Sequence, residues 1–147
     1  MVETHVSLSV DCLLNEDSYA IPLYQRNFSW TYDEIEQLLN DVADDFQEKR
    51  DNYYIGTLVV NEENGLFKII DGQQRTTALN LIALVLKNEF NFDKLEAVNL
   101  TFPARRRSNE NIQKLFINEK ISENDENELT RGYRHAKDAL KKVLGER

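Results

Sequence analysis

The stretch Ile69-Ile70-Asp71-Gly72-Gln73-Gln74-Arg75-Thr76-Thr77-Ala78-Leu79 runs from an apolar strand through a glycine turn directly into a helical pattern. A strand feeding a helix across one glycine demands a fold that mixes sheet and helix. The same junction is a natural anion receptor, because unpaired N–H groups at a helix start point outward with partial positive charge. Gly72 lets backbone come close to a ligand, and Arg75 adds a planar cationic fork. A plainer reading stands beside this one. Asp71 occupies an N-cap position, and Gln74 three residues on closes a polar capping box, leaving a well-capped buried helix with an incidental arginine.

The neighbouring pattern extends the mixed architecture. Tyr53 to Val60 and Leu66 to Ile70 are rich in β-branched and aromatic residues and flank the turn sequence Asn61-Glu62-Glu63-Asn64-Gly65, so they predict a β-hairpin. Leu79, Ile82, Ala83 and Leu86 form a helical stripe toward the sheet, and Leu81, Leu84 and Val85 widen it until most of that helix is buried. Thr31 with Glu34 makes a capping box ahead of Ile35, Leu38, Leu39, Val42 and Phe46, which predicts a helix from Tyr32 to about Glu48. Its acidic residues Glu36, Asp41, Asp44 and Asp45 read as a solvated face. Near the start, Val6, Leu8 and Val10 alternate like a strand, while Ser9 also suits the cap of a short helix; both readings stand.

Beyond Asn88 the pattern is sparser. Leu95 to Phe102 predicts a further strand, Ser108 a helix cap ahead of Ile112, Leu115 and Phe116, and Ile121 to Glu128 an acidic connection. Thr130 is placed as the cap of a last helix carrying Tyr133, Ala136, Leu140, Val143 and Leu144. The chain ends on this amphipathic pattern as though more helix followed. The expected organisation is a core over residues 1–103 and a helical extension over 104–147 that begins a longer helical region.

Composition excludes several classes. A chain of 147 residues is expected to be large enough for a single hydrophobic core without staples. Cys12 is the only cysteine and has no disulfide partner, so it reads as a small buried hydrophobe in a reducing, cytoplasmic setting. No apolar run is long enough to span a membrane, and the residues around Glu3 and His5 lack the pattern of a signal peptide. His5 and His135, the two histidines, cannot with one cysteine assemble a zinc site or a histidine-rich nuclease centre. No Gly-x-Ser-x-Gly turn supports a serine hydrolase. The net charge of −8 argues against a generic nucleic-acid binder and requires any phosphate contact to be local. Arg105-Arg106-Arg107 is the densest basic run, equally a solvated cluster or a phosphate contact.

A second polar cluster, Ile21-Pro22-Leu23-Tyr24-Gln25-Arg26-Asn27-Phe28-Ser29-Trp30, again sets a Gln-Arg pair after a short apolar run. Two such pairs converging would make a polyphosphate site. Tyr24, Phe28 and Trp30 are expected in the core rather than as base-stacking platforms. Taken with Asp71 to Arg75 and the Tyr53 to Val60 strand between, these motifs resemble the N-terminal domain of GmrSD-type modification-dependent (type IV) restriction endonucleases, a bacterial family. The resemblance is clear from about Val6 to Lys87.

That resemblance implies an α+β domain of the ParB/sulfiredoxin-like type, with a small mixed sheet, packed helices and a helical C-terminal part. It also implies binding and hydrolysis of GTP or ATP with Mg2+, regulating a nuclease that acts on modified DNA. The histidine-asparagine-histidine nuclease that often follows in the family, as a C-terminal domain or subunit, is not in this chain. Carried over residue by residue, Arg26 and Arg75 would hold phosphate oxygens and the Gly72 and Gln73 amides would cradle them. Thr76 would add a further phosphate contact. Gln73 or Gln74 would orient a water. Asp71 would ligate the metal or cap the turn, and Gln25 would brace Arg26 or the Asp71 loop. Two other readings remain: a sensor of nucleotide or modified DNA without turnover, and a DNA-contacting ParB-like domain.

Overall fold

The computed structural model describes residues 8–48, 54–92 and 95–145. Expectations that fall on His5, Val6 and Tyr53 lie outside these described residues. Helix α1 (Val10–Asn15) opens the chain, and the Ser9 hydroxyl accepts the Cys12 amide at 3.2 Å, so the capped-helix reading wins over a strand through Val10. Cys12 is partly exposed and unpaired. Strand β1 (Ser18–Ala20) follows, then a loop that carries residues 21–30 into helix α2 (Tyr32–Gln47).

The Thr31 and Glu34 capping box forms as the sequence predicts, with the Thr31 amide donating to Glu34 Oε2 at 2.7 Å. The hydroxyl of Thr31 donates to the same oxygen, which holds the Glu34 carboxyl below its ordinary value of 4.5. One acidic residue departs from the expected solvated face. Asp45 is buried, although Asp44 is exposed.

The hairpin is shifted relative to its sequence reading. Strands β2 (Val59–Glu63) and β3 (Leu66–Asp71) pair antiparallel, so Asn61 to Glu63 belong to the sheet and only Asn64 and Gly65 turn. Both turn residues have positive φ, 53° and 82°, the geometry that matches the twist of two-residue hairpins. A 2.7 Å ion pair between Glu63 and Lys68 reinforces the end. Residues Tyr54 to Leu58, expected in the strand, run outside the ladder. Pairing begins at Val59 opposite Asp71, with an irregularity between Val59 and Val60.

Strand β1 pairs in parallel with β3 and with β4 (Leu100–Thr101), giving the sheet order β2-β3-β1-β4. Tyr19 therefore lies opposite both Phe67 and Leu100, and its ring sits 5.6 Å from that of Phe67. From β3 the chain turns at Gly72 into helix α3 (Gln73–Phe90), followed after β4 by α4 (Arg106–Phe116) and α5 (Glu128–Gly145). The molecule is α+β, a small mixed sheet with packed helices.

Helix α3 is the centre of the core. Ala78, Leu81, Leu84 and Val85 are wholly buried, and each buried leucine contributes about 2–3 kcal/mol through removal of apolar surface from water. Helix α5 packs across both α2 and α3, and Leu129, Ala136 and Leu140 join the same apolar cluster as Ile35 and Leu81. Lys142 and Glu36 bridge α5 to α2 at 3.1 Å.

Two caps differ from those expected. Helix α4 starts at Arg106 with Arg105 at the N-cap, so Ser108 lies inside its first turn and spends its hydroxyl on Glu128. Asn127, not Thr130, caps α5: its Oδ1 accepts the amides of Leu129 and Thr130, while Thr130 Oγ1 accepts the Asn127 amide. Asparagine is the better cap, and the threonine completes the reciprocal pair. No described helix is long and apolar enough to cross a membrane.

Candidate functional site

The two glutamine-arginine motifs meet at the start of α3. Gln74 reaches across to the loop after β1: its Oε1 accepts the Ser29 amide at 2.8 Å and its Nε2 donates to the Asn27 carbonyl at 3.0 Å. Between those two contacts the Phe28 ring plugs into the core. A second tie comes from Gln25, whose Nε2 donates to the Ile70 carbonyl at 3.1 Å. Both side chains therefore act as backbone clasps. Gln74 makes no capping box, and each end of its amide already holds a backbone partner, with one Nε2 hydrogen remaining.

Gly72 is the N-cap of α3, in the left-handed region at φ 101° and ψ 12°, and no side chain caps the helix. The expectation that Asp71 would cap it is not met. Asp71 is the last residue of β3, and among the described residues its Oδ1 accepts only the adjacent Gly72 amide, at 3.1 Å. A β-carbon on Gly72 would lie 2.9 Å from the Thr57 carbonyl oxygen. Glycine is required here twice, for the backbone angle and for the close passage of the segment over it. That passage fills the side of Gly72 where sequence reasoning left room for a ligand.

Arg75 projects from the first turn of α3 and is exposed. Its guanidinium lies 5.8 Å from the centroid of the Trp30 ring, within cation–π range. On its other flank is Gly56: a β-carbon there would stand 2.0 Å from one guanidinium nitrogen. The fork is thus held between an indole and bare backbone, with no described carboxylate paired to it. Arg26 is also exposed and pairs with no described carboxylate. Trp30 packs partly against the core as expected, but Tyr24 does not: it is 76% exposed at the tip of the loop. Thr76 is buried, its amide bonded to Gly72 and its carbonyl to Asn80, so it stands behind the turn. Gln73 is partly exposed beside the Gly72 turn.

Sequence reasoning missed two supports. Gly56 could have been found, because an isolated glycine in a β-rich run marks close approach by another group. Arg105 could not: its Nη2 donates to the Leu23 carbonyl at 3.0 Å and to that of Gln25, gripping the loop from a position distant in sequence. Two concavities flank the same loop. One of about 450 Å³ is bordered by Asn27 and Arg105 to Arg107, and one of about 310 Å³ by Pro22, Tyr24 and Lys68. Among the described residues no group of histidine, cysteine or acidic side chains forms a ready-made metal cage.

Fold and junction together define a small α+β domain whose strand-turn-helix corner holds an exposed arginine against a tryptophan ring. The family model for the GmrSD restriction endonuclease N-terminal domain matches residues 10–145, and the chain belongs to that family. The match runs past Lys87 through α4 and α5, where the motif resemblance had thinned. No curated protein matches the chain.

Proposed function

We propose that this domain binds a nucleoside triphosphate, GTP or ATP, where the loop from Ile21 to Trp30 meets the Gly72 turn, and hydrolyses it to regulate a nuclease acting on modified DNA. The observation that carries this reading is the state of Arg75: exposed, unpaired with any described carboxylate, and stacked on Trp30 at the mouth of an uncapped helix. Preorganised cations and amide groups are what phosphoryl transfer asks of a protein, since its barrier falls mainly through placement and charge neutralisation. The amides of Gln73 and Gln74 lie in that first turn, and Arg26 stands on the adjoining loop.

In this scheme Arg75 and Arg26 hold the outer phosphate oxygens, and Gln73 or Gln74 orients a water. That water attacks the terminal phosphorus, the bond to the leaving diphosphate oxygen breaks, and the proton passes to solvent. Asp71 suits a magnesium ion carried in on the phosphates, because only one of its oxygens is bonded to Gly72, and magnesium sites commonly use one or two carboxylates plus phosphate oxygens. The ion supplies further charge neutralisation when bound. Modified DNA and a C-terminal nuclease domain or subunit would be partners of the larger protein, and the ParB/sulfiredoxin-like scaffold remains part of this reading.

The test is calorimetric titration with GTP and ATP in magnesium, alongside phosphate release. Wild-type protein is expected to bind, and Arg75→Ala to weaken binding by about tenfold or more, the loss typical of one charge-assisted contact. Unchanged binding in Arg75→Ala overturns the site. One observation favours a second reading: both ends of the Gln74 amide are tied to the loop backbone, which restrains that side chain from moving to place a water. Nucleotide binding without phosphate release would identify a sensor.

A further inference from the structure

The loop between β1 and α2 is anchored firmly at both ends and lightly in the middle. At one end the Ile21 amide donates to the Thr101 carbonyl at 2.9 Å, and at the other Phe28 is buried between the two bonds of the Gln74 clasp. Between these anchors Leu23, Tyr24 and Arg26 are exposed, and a stretch with so little buried apolar surface belongs to the least stable part of a fold. Hydrogen bonds hold it instead. The Gln25 amide closes a turn onto the Pro22 carbonyl at 3.0 Å, and the Gln25 side chain is tied to Ile70. Arg105 adds the remaining hold, one Nη2 donating to the Leu23 carbonyl at 3.0 Å and also to the Gln25 carbonyl.

The Gln25 carbonyl lies in the same rigid peptide plane as the Arg26 amide, because the C–N bond between them has partial double-bond character. A donor that fixes this carbonyl fixes the plane from which Arg26 departs. Arg105 is itself rooted in the core: its amide donates to the carbonyl of buried Phe102 at 2.9 Å, and the Asn109 side chain holds the Phe102 amide and carbonyl at 2.8 and 2.9 Å. One guanidinium thereby carries the rigidity of the connection between β4 and α4 into a loop that has little of its own. Arginine suits this task, since its planar fork gives up less freedom per hydrogen bond than a lysine would.

We propose that Arg105 is a positioning residue for the anion site: by holding the Leu23 and Gln25 carbonyls it presents Arg26 to the ligand phosphates without touching them itself. This rests on the nucleotide reading of the Gly72 turn. Without the hold, the loop and the long Arg26 side chain must be ordered at the moment of binding. That ordering cost corresponds to an affinity about three- to tenfold weaker.

The experiment is calorimetric titration of the whole chain with GTP and ATP in magnesium, run as a double-mutant cycle over Arg105→Ala and Arg26→Ala. Arg105→Ala is expected to weaken binding about three- to tenfold when Arg26 is present, and by less than about twofold once Arg26 is alanine. A merely structural role would lower affinity equally in both backgrounds. Hydrogen exchange over residues 22–27, measured without nucleotide, should quicken in Arg105→Ala. Should Arg105→Ala not fold, Arg105→Lys, which keeps the stem and the charge but lacks the fork, takes its place with the same outcomes expected. Equal losses in the two backgrounds, wild-type affinity in the Arg105 variant, or unchanged exchange would overturn the positioning role and leave the nucleotide site standing. Absence of binding by the wild-type protein would overturn both.

Discussion

Gln74 and Ser29, 45 positions apart, are joined by a 2.8 Å hydrogen bond from the Ser29 amide to the Gln74 side chain, and the other end of that side chain is bonded to Asn27. One glutamine thereby fixes the loop of the first motif against the helix of the second. Gln74→Ala should leave the Ser29 amide and Asn27 carbonyl to water at the loop surface, costing about 1–2 kcal/mol. A drop of about 3–8 °C in melting temperature by circular dichroism is expected. Melting at the wild-type temperature would show the clasp to be idle.

Gly56 governs where the Arg75 fork rests. In Gly56→Ala the new methyl would meet the guanidinium at 2.0 Å, and the end of a long side chain yields more readily than packed backbone. Arg75 should therefore leave Trp30, while the φ of 159° at Gly56, which L side chains rarely adopt, adds a backbone cost of about 1–2 kcal/mol. Trp30 is the only tryptophan, so its fluorescence reports the contact directly. Gly56→Ala and Arg75→Ala should shift its emission in the same direction, with the melting temperature of Arg75→Ala within about 2–4 °C of wild type and that of Gly56→Ala lower by about 3–8 °C from backbone strain. An unshifted spectrum in both variants would refute the stacked arrangement.

Gly132 is where α5 crosses the loop of the first motif. A β-carbon there would lie 2.6 Å from the Phe28 ring and 2.7 Å from Leu81, both buried and confined. Alanine gains roughly 1 kcal/mol in helix propensity, but overpacking a close crossing costs about 1–3 kcal/mol. Gly132→Ala should be net destabilising by about 1 kcal/mol and Gly132→Val by more, measured by urea unfolding followed through Trp30. A gain in stability for Gly132→Ala would mean the helices stand farther apart.

Much of the fold was legible because its signals are local. The Thr31 and Glu34 pair and the Ser9 hydroxyl each sit within a turn of the amides they bond, and the broad apolar pattern of α3 repeats at the helical period, although its wholly buried face is Ala78, Leu81, Leu84 and Val85 while Leu79, Ala83 and Leu86 of the expected stripe stay partly exposed. The turn at Asn64 and Gly65 could have been narrowed from five residues to two, since Asn-Gly alone closes a hairpin. What was not legible depended on the third dimension. Gln74 sits where a capping box would use it, yet the passing loop offers two backbone groups in fixed positions and wins the side chain. Asp71 loses its cap role because Gly72, in the left-handed region, takes the N-cap position and leaves Asp71 one residue before it, at the end of β3. Tyr24 and Phe28 look equally apolar in sequence, and only the clasp on both sides of Phe28 decides which of them is driven inward.

The entry to α2 should be sensitive to acid. Glu34 accepts both the amide and the hydroxyl of Thr31, which directly follows Trp30, and the hydroxyl is the larger cause of its lowered pKa. The folded protein thus binds a proton at Glu34 less readily than the unfolded chain does. The stabilisation is fully present above the unfolded value of 4.5 and is lost as pH falls through the lower folded value. Because the side chain is exposed, the contribution is below about 1 kcal/mol. Glu34→Gln keeps an acceptor for Thr31 but carries no charge to titrate. The stability difference between wild type and Glu34→Gln, taken from urea unfolding at successive pH values, should stay constant from about pH 7 to 5 and shrink below that. A difference that holds constant down to the most acidic condition at which both proteins fold would show that the Glu34 charge contributes nothing to the cap.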